Sequence, residues 1–286
     1  MTDRLDVAIA SCVVLPEPDP DAAPLLDALR RAGLRAEVLA WDDPAADFSR
    51  ARLTVLRSTW NYPAAPAAFD AWLGRVASQS QLFNPLALVR WNLHKRYLLG
   101  LERAGIPVVP TRLLTMGARV ALADVMASER WEDVVVKPAI SAASMGTMRV
   151  RRPEIDAGER HLAGLLLNGD VLVQPYQRGV DGHGERALVW IDGDLTHAVR
   201  KAPRFAGADE AVSDAVPIAA DEAAVARRAI ALLERPLLYA RIDVAPGPDG
   251  PRVMELELIE PSLFLSQSGA ALERLVRAIV RIGTRP

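Results

Sequence analysis

The sequence predicts an α/β unit followed by an α+β region. Three observations carry this. Leu5 to Leu15 is a nearly continuous apolar run, as expected of a parallel strand buried on both faces. Strand and helix patterns then alternate through residues 1–90, the signature of an open α/β sheet. Beyond Ala104 the pattern changes to shorter strands separated by loops.

In order, the Leu5–Leu15 strand leads through a loop at Pro16 to Pro20 into Asp21 to Ala32. There Leu25, Leu26, Leu29 and Ala32 recur at helical spacing, and Gly33 closes the helix. Glu37 to Trp41 and Leu53 to Leu56 read as two further strands, and Ala64 to Ala77 as a helix. In such sheets ligands bind beyond the carboxyl ends of the strands. The third strand ends in Arg57-Ser58-Thr59-Trp60-Asn61-Tyr62, dense in hydrogen-bonding and aromatic groups, so Arg57, Ser58, Thr59 and Trp60 are candidates for substrate recognition.

Trp91 to Ala104 is expected to be one helix, carrying Lys95 and ended by Gly105. Val108 to Leu114 and Val134 to Val136 read as strands flanking a helix at Ala118 to Ser128. Lys137 closes a Val-Val-Val run, where a lysine usually meets an anion. The loop holding Ser141, Ser144 and Gly146 follows and leads out into another strand. Backbone N–H groups of such a loop can cradle phosphate, although it lacks the Walker pattern. A helix at Ile155 to Leu167 precedes the strand Val171 to Tyr176, and Gly179 to Gly184 reads as a flexible polar loop. Glu185 to Ile191 and Leu195 to Lys201 flank Asp192-Gly193-Asp194, a strong hairpin signal. Phe205 to Val216 lacks periodicity and is expected to be a mobile loop, Asp221 to Leu233 a helix, and Ala270 to Ile282 a closing amphipathic helix.

At 286 residues the chain is long enough for two or three domains, and 50% hydrophobic and 24% charged residues are ordinary for a globular protein. A net charge of −2 leaves no electrostatic footprint for nucleic acid. No basic cluster suggests a membrane surface, no apolar run spans a bilayer, and no secretory signal is visible, so the expectation is a cytoplasmic protein. The single cysteine, Cys12, excludes an internal disulfide and a thiolate metal cluster.

The most charged pattern lies near the end. Ala240 to Ala245 and Val253 to Ser262 flank the turn Pro246-Gly247-Pro248-Asp249-Gly250-Pro251, so they read as a hairpin. Side chains at i and i+2 share a strand face. Arg241 and Asp243 therefore point together, as do Glu255 and Glu257. Pairing the strands gathers one guanidinium and three carboxylates, which suits either a cation or substrate site or a solvated face.

Taken as an ordered series these features resemble the ATP-grasp superfamily, most closely its glutathione-synthetase-like branch, which includes the cyclo-ligase that forms cycloserine from O-ureidoserine. The series is Lys95, Lys137 before a small-residue loop, Gln174-Pro175-Tyr176, Gly184-Glu185, Arg241-x-Asp243, and Glu255-x-Glu257 followed by Pro261. It spans Trp91 to Ser262, with a similar Arg-Ser-Thr-Trp at residues 57–60. The resemblance implies a three-domain ATP-grasp architecture: an amino-terminal α/β substrate domain (1–90), a helix plus lid (91–176) and a carboxyl-terminal α+β domain (177–286).

Position by position, the resemblance makes Lys95 and Lys137 nucleotide-binding lysines and Ser141 to Gly146, here poorer in glycine, the phosphate loop of the lid. Gln174 and Tyr176 become the linker that reads adenine. Asp181 or Glu185 meets the ribose or a lysine, and Lys201 faces phosphates or substrate. Arg241 matches the arginine that stabilises the transferring phosphoryl group, and Asp243 and Glu255 match magnesium ligands. Glu257 stands where the family usually has asparagine. Arg204 and Ser262 are expected to help Arg57, Ser58, Thr59 and Trp60 hold substrate. The implied activity is an ATP- and Mg2+-dependent carboxylate–amine ligase acting through an acyl phosphate on small-molecule substrates, with a homodimer allowed. Its rivals are an intramolecular cyclo-ligase of the same chemistry and an ATP-binding protein without turnover.

Overall fold

The computed structural model describes residues 4–202, 211–233 and 237–283. The first unit comprises β1 (Leu5–Ser11), α1 (Ala22–Arg31), β2 (Ala36–Ala40), β3 (Ala51–Leu56), α2 (Pro66–Gln79) and β4 (Gln81–Phe83). Its strands are parallel in the order β2-β1-β3-β4. Both faces of β1 are covered, which is why its sequence is continuously apolar. Val7 and Ile9 pack with Leu25 and Leu29 of α1, while Ala8 and Ala10 share a second core with Phe69 and Trp72 of α2.

The apolar run predicts a strand as far as Leu15. Instead β1 ends at Ser11, and Val13 and Val14 stand 61% and 73% exposed on the loop beyond it. The three-residue β4 is too short to announce itself by periodicity.

The next two elements correct the expectation of one helix over Trp91 to Ala104. They are α3 (Leu86–Asn92) and α4 (Tyr97–Arg103). The apolar rhythm continues across the break, but Lys95 lies inside it, and its backbone N–H donates to Ala139 O at 2.7 Å. Leu88, Leu98 and Leu101 share a core with Ile242 and Leu256, so these helices lean on the carboxyl-terminal sheet.

A second sheet-bearing unit follows: β5 (Arg112–Leu114), α5 (Leu122–Glu129), β6 (Asp133–Pro138), β7 (Met148–Arg151), α6 (Ile155–Leu166) and β8 (Val171–Pro175). Its strands are antiparallel in the order β5-β8-β6-β7. Leu122, Met126, Val134, Val136, Leu162 and Val173 give it a core of its own.

The last unit runs through α7 (Val180–His183), β9 (Glu185–Ile191), β10 (Asp194–Lys201), α8 (Ala220–Ala231), β11 (Tyr239–Gly247), β12 (Gly250–Glu257) and α9 (Gly269–Gly283). Its antiparallel sheet has the order β10-β9-β11-β12. The stretch that reads as a polar loop at 179–184 contains the single turn of α7. Asp192 and Gly193 carry φ of +47° and +92° at the β9–β10 turn, the left-handed pair that such a hairpin uses. Of the expected loop at 205–216, residues 211–216 are described. There Val212 and Val216 make antiparallel bridges to Lys201 and Ala198.

Val7 and Ile9 share one core with Val189 and Ile191 of β9 and Leu275 and Ile279 of α9, so the first and last units form a common body. Among the described residues no helix is long and apolar enough to cross a membrane.

Candidate active site

The hairpin register opposes Arg241 to Glu257 and Asp243 to Glu255, which places all four side chains on one face of the sheet. Arg241 donates from Nε and Nη2 to the two oxygens of Asp243 at 2.9 Å each, and Nη2 also donates to Glu257. Lys201 Nζ bridges Asp243 Oδ2 and Glu185 Oε1, each at 2.7 Å. Across the cavity, Lys95 Nζ meets Glu255 Oε1 at 2.6 Å and Ser141 O at 2.8 Å.

Charge is finely divided here. Burial alone would raise Asp243, but Arg241 and Lys201 hold it well below the ordinary carboxylate range. Burial likewise opposes ionisation of Glu255, and Lys95 with Lys137 brings it down to about 2. Glu257 is pushed up to about 7 by burial and by Glu255 and Asp243, despite Arg241. Burial also lifts Glu185 to about 7 against the pull of Lys201. Desolvation lowers Lys137, although Glu255 opposes it. The chain's own cations thus leave Glu185 and Glu257 incompletely compensated.

One oxygen from each of Asp243, Glu255 and Glu257 lies within 4.8 Å of the others. This all-oxygen donor set, only partly neutralised by the chain, fits a hard divalent cation such as Mg2+. The glutamate at 257 adds a third carboxylate to that set.

The β5–β8 unit contributes Lys137 and the loop after β6. Ala143, Ser144 and Gly146 have φ of +49°, +56° and +69°. The left-handed conformation costs non-glycine residues about 1–2 kcal/mol each, so the glycine-poor sequence keeps the loop's shape under strain. Gly146 is irreplaceable on space as well, because a Cβ there would stand 2.9 Å from Pro138 Cγ. Ser141 and Ser144 line the cavity beside Lys95, Lys137, Gln174 and Glu185.

Tyr176 also lines this cavity, with the Arg149 guanidinium 3.4 Å above its ring and its hydroxyl donating to Asp181. Asp181 is therefore engaged with Tyr176 outside the cavity, whereas Glu185 faces Lys201 inside it, which separates the two alternatives. The Gln174 side chain, at the cavity wall, donates to Thr111 Oγ1 at 2.8 Å.

The substrate candidates divide. Trp60 and Ser262 line the cavity. Arg57, Ser58 and Thr59 do not, and this corrects the reading of the strand end. Arg57 is 1% exposed; its Nη2 pairs with Asp21 Oδ2 at 3.3 Å and its Nη1 donates to Pro261 O at 2.8 Å, while its Nε is buried without a partner among the described residues. Asp21 in turn accepts from the N–H groups of Leu263 and Leu265, at 2.7 Å each. Ser58 is buried against Ser11, and Thr59 is wholly buried. Arg204 lies outside the described residues.

Arg57 is thus a strut between the first and last units. Replacing it with Ala leaves Asp21 buried without its counter-charge and is expected to destabilise the protein by about 3–5 kcal/mol in urea unfolding. A variant as stable as wild type but with a raised KM for substrate restores the recognition role.

Three successive carbonyls form a seam at the cavity wall. Glu260 O accepts from Trp60 Nε1 at 2.8 Å, Pro261 O from Arg57, and Ser262 O from Arg241 Nη1 at 3.4 Å. Sequence reasoning assigned no role to Glu260, Tyr62, Asn92 or Glu17, all of which line the cavity. Asn92 accepts from Leu258 N–H and donates to Leu256 O, holding β12 in place.

Residues 7–84 match the family described as the N-terminal domain of D-cycloserine synthetase DcsG. The cycloserine biosynthesis protein DcsG of Streptomyces lavendulae is 38% identical to this chain, over 91% of it and 93% of that protein. This chain belongs to the DcsG family. A crystal structure of D-cycloserine synthetase DcsG has a TM-score of 0.89 and 37% identity, covering 97% of this chain and 99% of that one. The DcsG-family fold extends to an ATP-grasp RimK domain protein from Sphaerobacter thermophilus (TM-score 0.71, 20% identity, 96% and 98% covered). It extends also to D-alanine–D-alanine ligase from Bacillus anthracis, solved with ATP (TM-score 0.67, 15% identity, 97% and 96% covered). The three-unit fold is therefore the ATP-grasp architecture, and the chain is an ADP-forming ligase of the carboxylate–amine type.

Proposed function

We propose that this DcsG-family ligase is a cyclo-ligase: it activates a substrate carboxylate with Mg-ATP and closes a ring onto a nitrogen of the same molecule. The supporting observation is that the similarity to D-cycloserine synthetase includes the amino-terminal unit, which brings Glu17, Trp60 and Tyr62 to the cavity. Residues 1–90 then form the substrate domain, 91–176 the helix and lid, and 177–286 the metal-holding domain.

In the first step a carboxylate oxygen attacks the γ-phosphorus, the bond to the β-phosphate oxygen breaks, and ADP leaves an acyl phosphate. In the second, the substrate nitrogen attacks the acyl carbon, the C–O bond to phosphate breaks, and the nitrogen's proton goes to solvent or the departing phosphate. Lys95, Lys137 and the lid loop hold the phosphates, while the Gln174–Tyr176 backbone holds adenine. Glu185 positions Lys201. Arg241 supplies fixed charge to the equatorial oxygens, where phosphoryl transfer needs it. Asp243, Glu255 and Glu257 would hold Mg2+, which when bound neutralises phosphate charge. Closure of the lid excludes water from the acyl phosphate.

The test is ADP release from Mg-ATP with D- and L-O-ureidoserine and a panel of amino acids, followed by product mass. A product lighter than its substrate is expected. One heavier than either substrate makes the enzyme an intermolecular ligase, and nucleotide binding without ADP release across the panel makes it a binding protein.

A further inference from the structure

We infer that His94 and Asp170 are positioning residues for the nucleotide: they hold Lys95 and the loop after β6 in place while His94 Nδ1 carries no proton. The inference rests on the reading of Lys95 as a phosphate-binding group and adds what sets that group's position.

Lys95 sits at the centre of a turn that its two neighbours close. His94 Nδ1 accepts from the Arg96 backbone N–H at 3.0 Å and from Arg96 Nε at 3.3 Å. A side chain that accepts from the N–H two residues on imitates a backbone turn. With Nδ1 accepting from two donors, the ring hydrogen belongs on Nε2, which donates to Asp170 Oδ2 at 3.2 Å. Arg96 Nη2 reaches the same oxygen at 3.3 Å, and Asp170 Oδ1 accepts from the Met116 N–H at 2.9 Å.

Asp170, just before β8, also grips the loop. Its carbonyl accepts from the Ala139 N–H at 2.8 Å, while the Ala139 carbonyl accepts from the Lys95 N–H at 2.7 Å. Ala139 is thus held from both sides at the root of the loop that carries Ser141 and Ser144. Lys95 Nζ reaches on to the Ser141 carbonyl and to Glu255 inside the cavity. One turn therefore fixes both the ammonium that faces the ligand and the loop beside it.

A proton on Nδ1 would confront the Arg96 N–H groups and open this turn. It would also strengthen the pair with Asp170, so two effects compete. Burial and Arg96 win, lowering His94 although Asp170 opposes them. Arg96 and Asp170 are the charged groups that face the ring among the described residues. Asp170 stays ionised, because the Met116 N–H above all holds it below the ordinary carboxylate value. The His94 side chain is 20% exposed, so protons can reach it.

Calorimetric titration of full-length protein with Mg2+ and a non-hydrolysable ATP analogue, at about pH 7.5 and about pH 5 on either side of the ordinary histidine range, tests this. His94→Gln keeps a donor toward Asp170 and takes up no proton. The ratio of its affinity to that of wild type is expected to rise roughly tenfold on going to the lower pH, as one linked proton allows. Groups common to both proteins cancel in that ratio, among them Glu185 and Glu257, each at about 7. Asp170→Asn is expected to weaken the analogue roughly tenfold at the higher pH, the scale of a hydrogen bond to a charge. A ratio that does not change with pH, or a folded Asp170→Asn that binds like wild type, overturns the inference, and the ratio alone decides if Asp170→Asn does not fold. Lys95→Met, measured alongside, tests the reading beneath. If it binds the analogue as tightly as wild type, that reading falls and the inference with it. A weak Lys95→Met with a flat ratio sinks the inference alone.

Discussion

Glu255→Gln and Asp243→Asn are each expected to abolish ADP formation, lowering kcat/KM by about 10³-fold or more, the scale set by removing preorganised charge at a transition state. Each substitution keeps the shape of its side chain and one oxygen. An amide oxygen at position 255 would still accept the Lys95 bond, so the melting temperature of Glu255→Gln is expected to move by only a few degrees, whereas an amide at position 243 turns an N–H onto the Arg241 fork and is expected to cost more stability. The lost quantity is negative charge at two of the three oxygens that converge within 4.8 Å. The variants should therefore require far more Mg2+ for any residual turnover. Turnover like that of wild type in either would remove this hairpin from the nucleotide site.

The convergence of these groups was legible because strand geometry is local. Two residues apart means one face, and a Pro/Gly-rich turn between two apolar runs means pairing, so Arg241, Asp243, Glu255 and Glu257 could be brought together without tertiary knowledge. Lys137 was legible for a similar reason, as a charge ending a strand that is otherwise core. The parts that escaped depend on contacts distant in sequence. Arg57 looks like a ligand group at the carboxyl end of a strand. Its ion pair with Asp21 and its bond to Pro261, 204 residues away, turn it into a strut instead. Asn84 and Asn92 read as ordinary polar residues, yet each satisfies backbone groups of the carboxyl-terminal sheet and its margin. Glu260 belongs with these, since its burial is created by Trp60 and Tyr62 from the far end of the chain. The break at 93–96 escaped because apolar periodicity carries on through it, while the hydrogen bond to Ala139 that stabilises it is tertiary.

Arg241→Lys is expected to lower kcat by about 10²–10³-fold while changing the KM for ATP far less, because the lost interaction belongs to the transition state. The substitution keeps the charge and removes the fork. In the protein the guanidinium meets both oxygens of Asp243, Glu257 and the Ser262 carbonyl at once, with the Phe264 ring centred 5.7 Å from its carbon. A single ammonium on a flexible stem cannot hold all of those positions, so the charge survives but its place does not. Ser262 makes the consequence wider than one side chain. Its neighbours Pro261 and Glu260 hold Arg57 and Trp60, so the seam sets the distance between the phosphoryl-transfer groups and the substrate unit. Single-turnover measurement of ADP formation separates the two contributions. A slow first turnover at saturating ATP and substrate locates the defect in phosphoryl transfer, as expected. A first turnover within about threefold of wild type, roughly 0.7 kcal/mol or less in barrier, removes Arg241 from the chemistry and leaves it only the seam.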